Sequence, residues 1–187
     1  MKHDKILKFL QIVGLTFIII SLAEIVFFIV IHFAPFNLDG DSLLLSEFIY
    51  ISDMISLSGT LLWVFLIIAM VSYLILGIFM YKIIISKSFE SWALAKYMII
   101  IGMVILLGGF VKMDFLVLLG KIRIKMISDS IRFQTALYDS NITPIFPAIL
   151  WIIFISINCY TLIIGLCVTG IGIKWTLLQE EELKINR

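Results

Sequence analysis

Apolar residues run almost unbroken through four stretches, at about 7–33, 54–84, 92–112 and 146–174, and the charged residues gather between them. Crossing a hydrocarbon core of about 30 Å takes roughly 20 residues of helix, and each stretch meets that length. The runs lack the in/out alternation of a membrane β-barrel, so helix is the expected form. The pattern predicts an all-α, integral membrane four-helix bundle, a single transmembrane domain over 1–187 with outer loops at 34–53 and 113–145. Ser86 to Ser91 reads as a tight inner turn that makes the second and third spans an antiparallel hairpin. Asn37-Leu38-Asp39-Gly40-Asp41 is turn chemistry; Leu43 to Ile55 then either extends the second helix or lies along the headgroups. In the second outer loop Ile122, Met126, Phe133 and Leu137 recur at mostly helical intervals among Lys121, Lys125, Asp129 and Arg132. That spacing predicts a short amphipathic interfacial helix. The alternation Lys-Ile-Arg-Ile-Lys-Met is also compatible with a short hairpin.

Composition supports the bilayer as solvent. The chain has 187 residues, 62% hydrophobic and 14% charged, with a mean hydropathy of +1.16. Soluble domains average roughly 45–50% apolar and about 25% charged. Lys2, Lys5 and Lys8 precede the first run as in a signal peptide, but the run from Ile6 to Phe33 far exceeds a signal core. It reads as a retained span. The basic residues set the expected orientation: Lys2, Lys5, Lys8, Lys82, Lys87, Lys96, Lys174, Lys184 and Arg187 against Lys112, Lys121, Arg123, Lys125 and Arg132. Basic residues favour the cytoplasmic side, so both termini are expected to be cytoplasmic, with the spans in the cell membrane. The net charge of +1 and the absence of a basic arm speak against nucleic acid. The partners expected are the lipid bilayer and either another membrane protein or a second copy of the chain. Cys159 and Cys167 lie about 12 Å apart along one helix, too far for a disulfide between them.

Glu24 is the sharpest candidate for chemistry, because a carboxylate inside an apolar span costs several kcal/mol on scale-dependent estimates of about 2.5 upward. At 1.5 Å per residue it lies about 14 Å below the outer end of its span, and Asn158 about 16 Å below the end of the fourth. Trp63 and Gly102 fall near that level, so a layer of Glu24, Trp63, Gly102 and Asn158 is one expectation. It would serve as a proton or cation site or as the floor of a ligand pocket; the plainer reading is a hydrogen-bonded Glu24 holding helices together. Small and polar residues mark packing faces: Gln11, Gly14, Ser21, Glu24 and His32 on the first span, Gly59, Trp63, Tyr73 and Gly77 on the second. On the fourth, Asn158, Thr161, Gly165, Thr169, Gly172 and Thr176 form such a stripe. Lys112 and Asp114 read as an interfacial pair at the end of the third span. Lys121, Arg123, Lys125 and Arg132 are candidates to hold an anionic headgroup, or else a lipid-facing basic surface.

No cofactor or metal is expected. Two histidines, His3 and His32, do not make a buried bis-histidine haem, and no cluster has zinc spacing. Asn37, Asp39, Asp41 and Glu47 lack the glycine and the closing glutamate of a calcium loop. Asn141-Ile142-Thr143 matches a glycosylation sequon, followed by Pro144.

The inner turn Ser86-Lys87-Ser88-Phe89-Glu90 and the tail Leu178-Gln179-Glu180-Glu181-Glu182-Leu183-Lys184-Ile185 resemble a bacterial membrane family known as domain of unknown function 2975. Ser88 stands where that family has a proline, Glu182 for its aspartate and Lys184 for its threonine. The resemblance implies a four-span inner-membrane protein and lends no catalytic residue. Three functions stand open: a non-enzymatic membrane subunit, sensor or regulator working through helix packing and partner contacts; a small transporter or channel with a Glu24/Asn158 site; and a lipid- or quinone-binding membrane enzyme subunit. The lack of any catalytic constellation favours the first.

Overall fold

The computed structural model describes residues 3–38, 40–51, 55–85, 91–125 and 130–185. In chain order they form α1 (His3–His32), β1 (Pro35–Leu38), β2 (Asp41–Leu44), α2 (Leu45–Tyr50), α3 (Leu57–Ile85), α4 (Ser91–Lys121), β3 (Arg123–Lys125), β4 (Ser130–Arg132), α5 (Phe133–Tyr138) and α6 (Ile145–Ile185). Four helical segments are long and apolar enough to cross a membrane: Lys5–His32, Leu57–Lys82, Ala93–Lys121 and Ile145–Glu180. The protein is thus an all-α four-helix bundle of the multi-pass membrane class. The inner turn at 86–90 lies outside the described residues, as do Asp39, Met126 and Asp129.

Each long helix exposes apolar side chains away from its packed face, and its buried positions recur at intervals of three and four. On α3 they are Gly59, Trp63, Leu66, Met70, Tyr73, Gly77 and Met80; on α4 they include Met98, Ile101, Ile105, Gly109, Lys112, Leu116 and Leu119, with Leu94, Ala95, Gly102 and Gly120 buried beside them. On α1 the seam runs Ile6, Leu10, Val13, Phe17, Ser21, Glu24, Phe28, Ile31, and on α6 Trp151, Phe154, Asn158, Thr161, Gly165, Val168, Gly172, Trp175. This is the knobs-into-holes spacing. The opposite faces leave large apolar side chains open, with Ile19 at 59%, Leu107 at 60% and Leu166 at 62% exposure. Water would not tolerate so continuous an oily surface, whereas acyl chains match it.

Packing divides the chain into two units, one of Met1–Ile20, Tyr73–Val111 and Asn158–Arg187, the other of Ser21–Ser72 and Lys112–Ile157. In the first, backbones approach closely. A Cβ on Gly77 would stand 3.1 Å from the carbonyl oxygen of Gly14, and one on Gly102 would stand 2.5 Å from the Thr169 nitrogen. A Cβ on Gly165 or Gly172 of α6 would stand 3.0 Å from the Leu106 nitrogen and 2.9 Å from the Ile99 nitrogen, respectively. Around these seams pack Leu10, Phe17, Met98, Ile105, Val168 and Trp175.

In the second unit the two loops fold into its core. The first loop forms a hairpin whose register pairs Leu38 with Asp41, and Gly40 takes the turn with φ +93°. Asn37 donates its backbone N–H to Ile142 O (2.7 Å) and Leu45 donates to Ala34 O (2.8 Å). The segment after β2 turns into α2, where the Glu47 carboxylate accepts the Leu44 N–H at 2.9 Å and caps the first turn. The second loop departs from the expected continuous interfacial helix: β3 and β4 pair as a hairpin and α5 follows with only six residues. The reason lies in burial at period two, since Ile124 is fully buried between exposed Arg123 and Lys125. Phe133 is the hub of the aromatic core, with ring centroids 6.4 Å from Phe36, 6.0 Å from Trp63 and 5.9 Å from Trp151.

Candidate functional site

Glu24 sits on the buried seam of α1 between Ser21 and Phe28, and 1% of its surface is exposed. A carboxylate there needs a counter-charge or enough hydrogen bonds to replace water. Lys112 supplies the counter-charge: its ammonium donates to Glu24 Oε1 in a direct ion pair, and Lys112 is itself 1% exposed. The expectation that Lys112 and Asp114 form an interfacial pair is therefore corrected. α4 continues to Lys121, so Lys112 lies about 14 Å inside the end of the helix, the depth counted for Glu24. Asp114 points away from the seam and is exposed. Lys112 shares its seam with Ile105, Gly109, Leu116 and Leu119. That spacing, together with the apolar run Phe115–Leu119 beyond it, was the sequence signal for an interior position.

The expected layer of Glu24, Trp63, Gly102 and Asn158 resolves into separate contacts. Glu24 bonds to Lys112. Asn158 donates its side-chain N–H to the Gly109 carbonyl at 2.9 Å, and its own Oδ1 is buried without a hydrogen-bond partner among the described residues. The Gly109 oxygen can only accept, which fixes the amide orientation and leaves Oδ1 as the unsatisfied end. Gly102 lies against Thr169, whose hydroxyl is turned back onto Gly165 O at 2.8 Å. Trp63 donates its indole N–H to His32 Nε2 at 3.1 Å.

That last bond belongs to a second polar group which sequence reading did not assemble. His32 Nδ1 lies 2.7 Å from the carbonyl of Phe28 and must carry the hydrogen, since a carbonyl only accepts. Nε2 then offers a lone pair, at which both the Trp63 indole and the Tyr50 hydroxyl (3.4 Å) can aim. Partial desolvation pushes the Tyr50 phenol above its usual range, against the opposing pull of the Trp63 N–H; a phenol is in any case protonated at neutral pH and able to donate. His32 is thereby held as the Nδ1–H tautomer in a cage with Phe28 at 4.6 Å and Trp63 at 5.5 Å between ring centres. Beside it an apolar groove of about 360 Å³ opens between α1 and α3, lined by Ile25, Phe28, Ile29, His32, Ile67 and Met70 among others, and by Ser46 of α2. Glu24 does not line it.

Three of the four basic candidates stand on one hairpin, and the fourth, Lys121, lies two residues before it. Lys121 ends α4, Arg123 and Lys125 stand on β3, and Arg132 ends β4; all four are exposed. The sequon is closed by structure, for Thr143 is 1% exposed and gives its hydroxyl to the carbonyls of Ala136 and Leu137. Glu47 of the calcium-like pattern is spent on the cap of α2. Among the described residues no three of His, Cys, Asp and Glu come together in a metal-binding group. Cys159 and Cys167 are both exposed thiols.

No protein-family model, curated protein or solved structure matches this chain.

Proposed function

We propose that this protein is a non-enzymatic membrane subunit, sensor or regulator, seated in the cell membrane with both termini cytoplasmic and acting through contacts with a membrane partner or a second copy. The observation that carries this reading is the Glu24–Lys112 pair. A permeation site needs a charged group that exchanges partners with water or a passing ion. Here the acid within the first span and the base within the third satisfy each other, both 1% exposed, and latch α1 to α4. With that charge used for packing, the surfaces left for work are the lipid-facing helix exteriors, the two loops and the tail around Glu180. The resemblance of the inner turn and tail to domain of unknown function 2975 belongs to the same proposal.

Two measurements test it together. Photo-crosslinkers at the lipid-facing positions of Ile19 and Leu107 should yield a discrete adduct in native membranes, either a dimer or one defined membrane protein. Sealed vesicles carrying the purified protein should show the same proton and sodium leak as empty vesicles. A leak abolished by Glu24→Gln, with no adduct, would replace the regulator by a transporter.

A second reading, lipid or quinone binding, is favoured by the apolar groove beside His32. An isoprenoid or acyl chain matches its walls, and Ser46 in its lining offers a hydroxyl to a head group.

A further inference from the structure

We propose that the outward face of the β3–β4 hairpin binds the phosphate of an anionic phospholipid, gripped between Arg123 and Arg132 with Lys121 and Lys125 beside it. The argument begins with register. Arg123 pairs directly with Arg132, and Lys125 with Ser130, across the antiparallel ladder. Side chains of directly opposed residues leave the same face with their Cβ atoms about 5 Å apart, and the diagonal Lys125–Arg132 pair is about 7–8 Å apart. The other face is anchored: Ile124 is fully buried, Ile131 packs on the same aromatic core, and Phe133 donates its N–H to Ile122 O at 2.8 Å. The two arginines therefore leave the hairpin on one exposed face, opposite the side that is packed.

Like charges directly opposite across a ladder destabilise it. Among the described residues neither arginine forms an ion pair, and Asp129 is the single carboxylate in the segment 121–132, against four cations. An anion on this face would relieve that repulsion. A phosphodiester has two non-bridging oxygens, and each can accept from one guanidinium fork. A lipid rather than a free phosphate is favoured by depth. The membrane-length segment of α4 ends at Lys121, two residues before β3, which puts the hairpin at the level of the headgroups. This surface does not depend on the partner contacts proposed above.

The test uses the full chain in nanodiscs of phosphatidylcholine, with and without phosphatidylglycerol. Arg123→Gln/Arg132→Gln should unfold at an equal or higher temperature than wild type in phosphatidylcholine, where repulsion has been removed. With phosphatidylglycerol present it should unfold at a lower temperature than wild type, because the ligand has been lost. Native mass spectrometry should show retention of phosphatidylglycerol weakened roughly fivefold per arginine removed. Arg123→Lys/Arg132→Lys, which keeps charge without the fork, should fall between; full retention there would overturn the two-arginine grip. Equal retention in wild type and the glutamine variant would overturn the site. So would millimolar inorganic phosphate reproducing the whole stabilisation in phosphatidylcholine discs, since the ligand would then be a free anion. If the double variant does not fold, Arg132→Gln alone carries the same comparison, and unchanged retention in it overturns the proposal.

Discussion

Lys112 shows how one side chain can be read from its neighbours in space and misread from its neighbours in sequence. Beside Asp114 it resembles a surface pair; on the α4 seam it faces Glu24. Removing one member of a buried pair leaves a charge in hydrocarbon, so Glu24→Gln or Lys112→Met alone should cost about 3–5 kcal/mol. Glu24→Leu/Lys112→Leu should recover most of that loss, because two apolar residues need no counter-charge. Unfolding equilibria in detergent or bicelles measure both; a double variant as weak as the singles would mean the pair does more than neutralise itself. At His32 the expected outcome is spectroscopic. Nitrogen chemical shifts should report the Nδ1–H tautomer, and Trp63→Phe, which removes the indole donor to Nε2, should shift them at a stability cost of about 1 kcal/mol.

At the scale of elements, two devices join the helices. The first is close approach on glycine. A Cβ on Gly102 would collide with Thr169 Oγ1 and lie 2.5 Å from the Thr169 backbone nitrogen, and the backbone atom cannot swing away. Gly102→Ala should therefore part α4 from α6 and cost about 1–3 kcal/mol. Gly170, one residue beyond Thr169, has open space within 4 Å of where a methyl would stand, so Gly170→Ala should be neutral or stabilising by about 0.5–1 kcal/mol. Thermal unfolding of the two variants checks both, and the contrast separates packing from propensity. The second device is the aromatic core, in which Phe133 joins the second loop to Phe36, Trp63 and Trp151. Phe133→Ala should cost about 3–5 kcal/mol and loosen both loops, read as faster amide exchange at Phe36 and Phe48.

For the whole molecule, the expectation of four crossings has a direct test, since an even number of crossings would leave both ends on one side and both loops on the other. In a background with Cys159→Ser and Cys167→Ser, thiol labelling of Lys5→Cys should require access from the face opposite to that which labels Ser140→Cys. Labelling of both from one face would exclude four crossings. The membrane class itself was legible in the sequence because solvent choice depends on how much apolar surface there is and how it is distributed, and 62% hydrophobic residues in four long runs leave one answer. The packing faces were legible too, because in lipid the interior is marked by small and polar residues: Ser21, Gly59, Gly77, Asn158, Thr161 and Gly165 all lie on buried seams. What only tertiary structure decided was partnership. Glu24 could have met Asn158 or Lys112, and the loop at 122–138 could have been a helix or a hairpin. Such choices turn on which backbones come within a few ångströms of one another. A chain apolar on every face carries no amphipathic signal of which helix will be its neighbour, so that information exists only once the helices have packed.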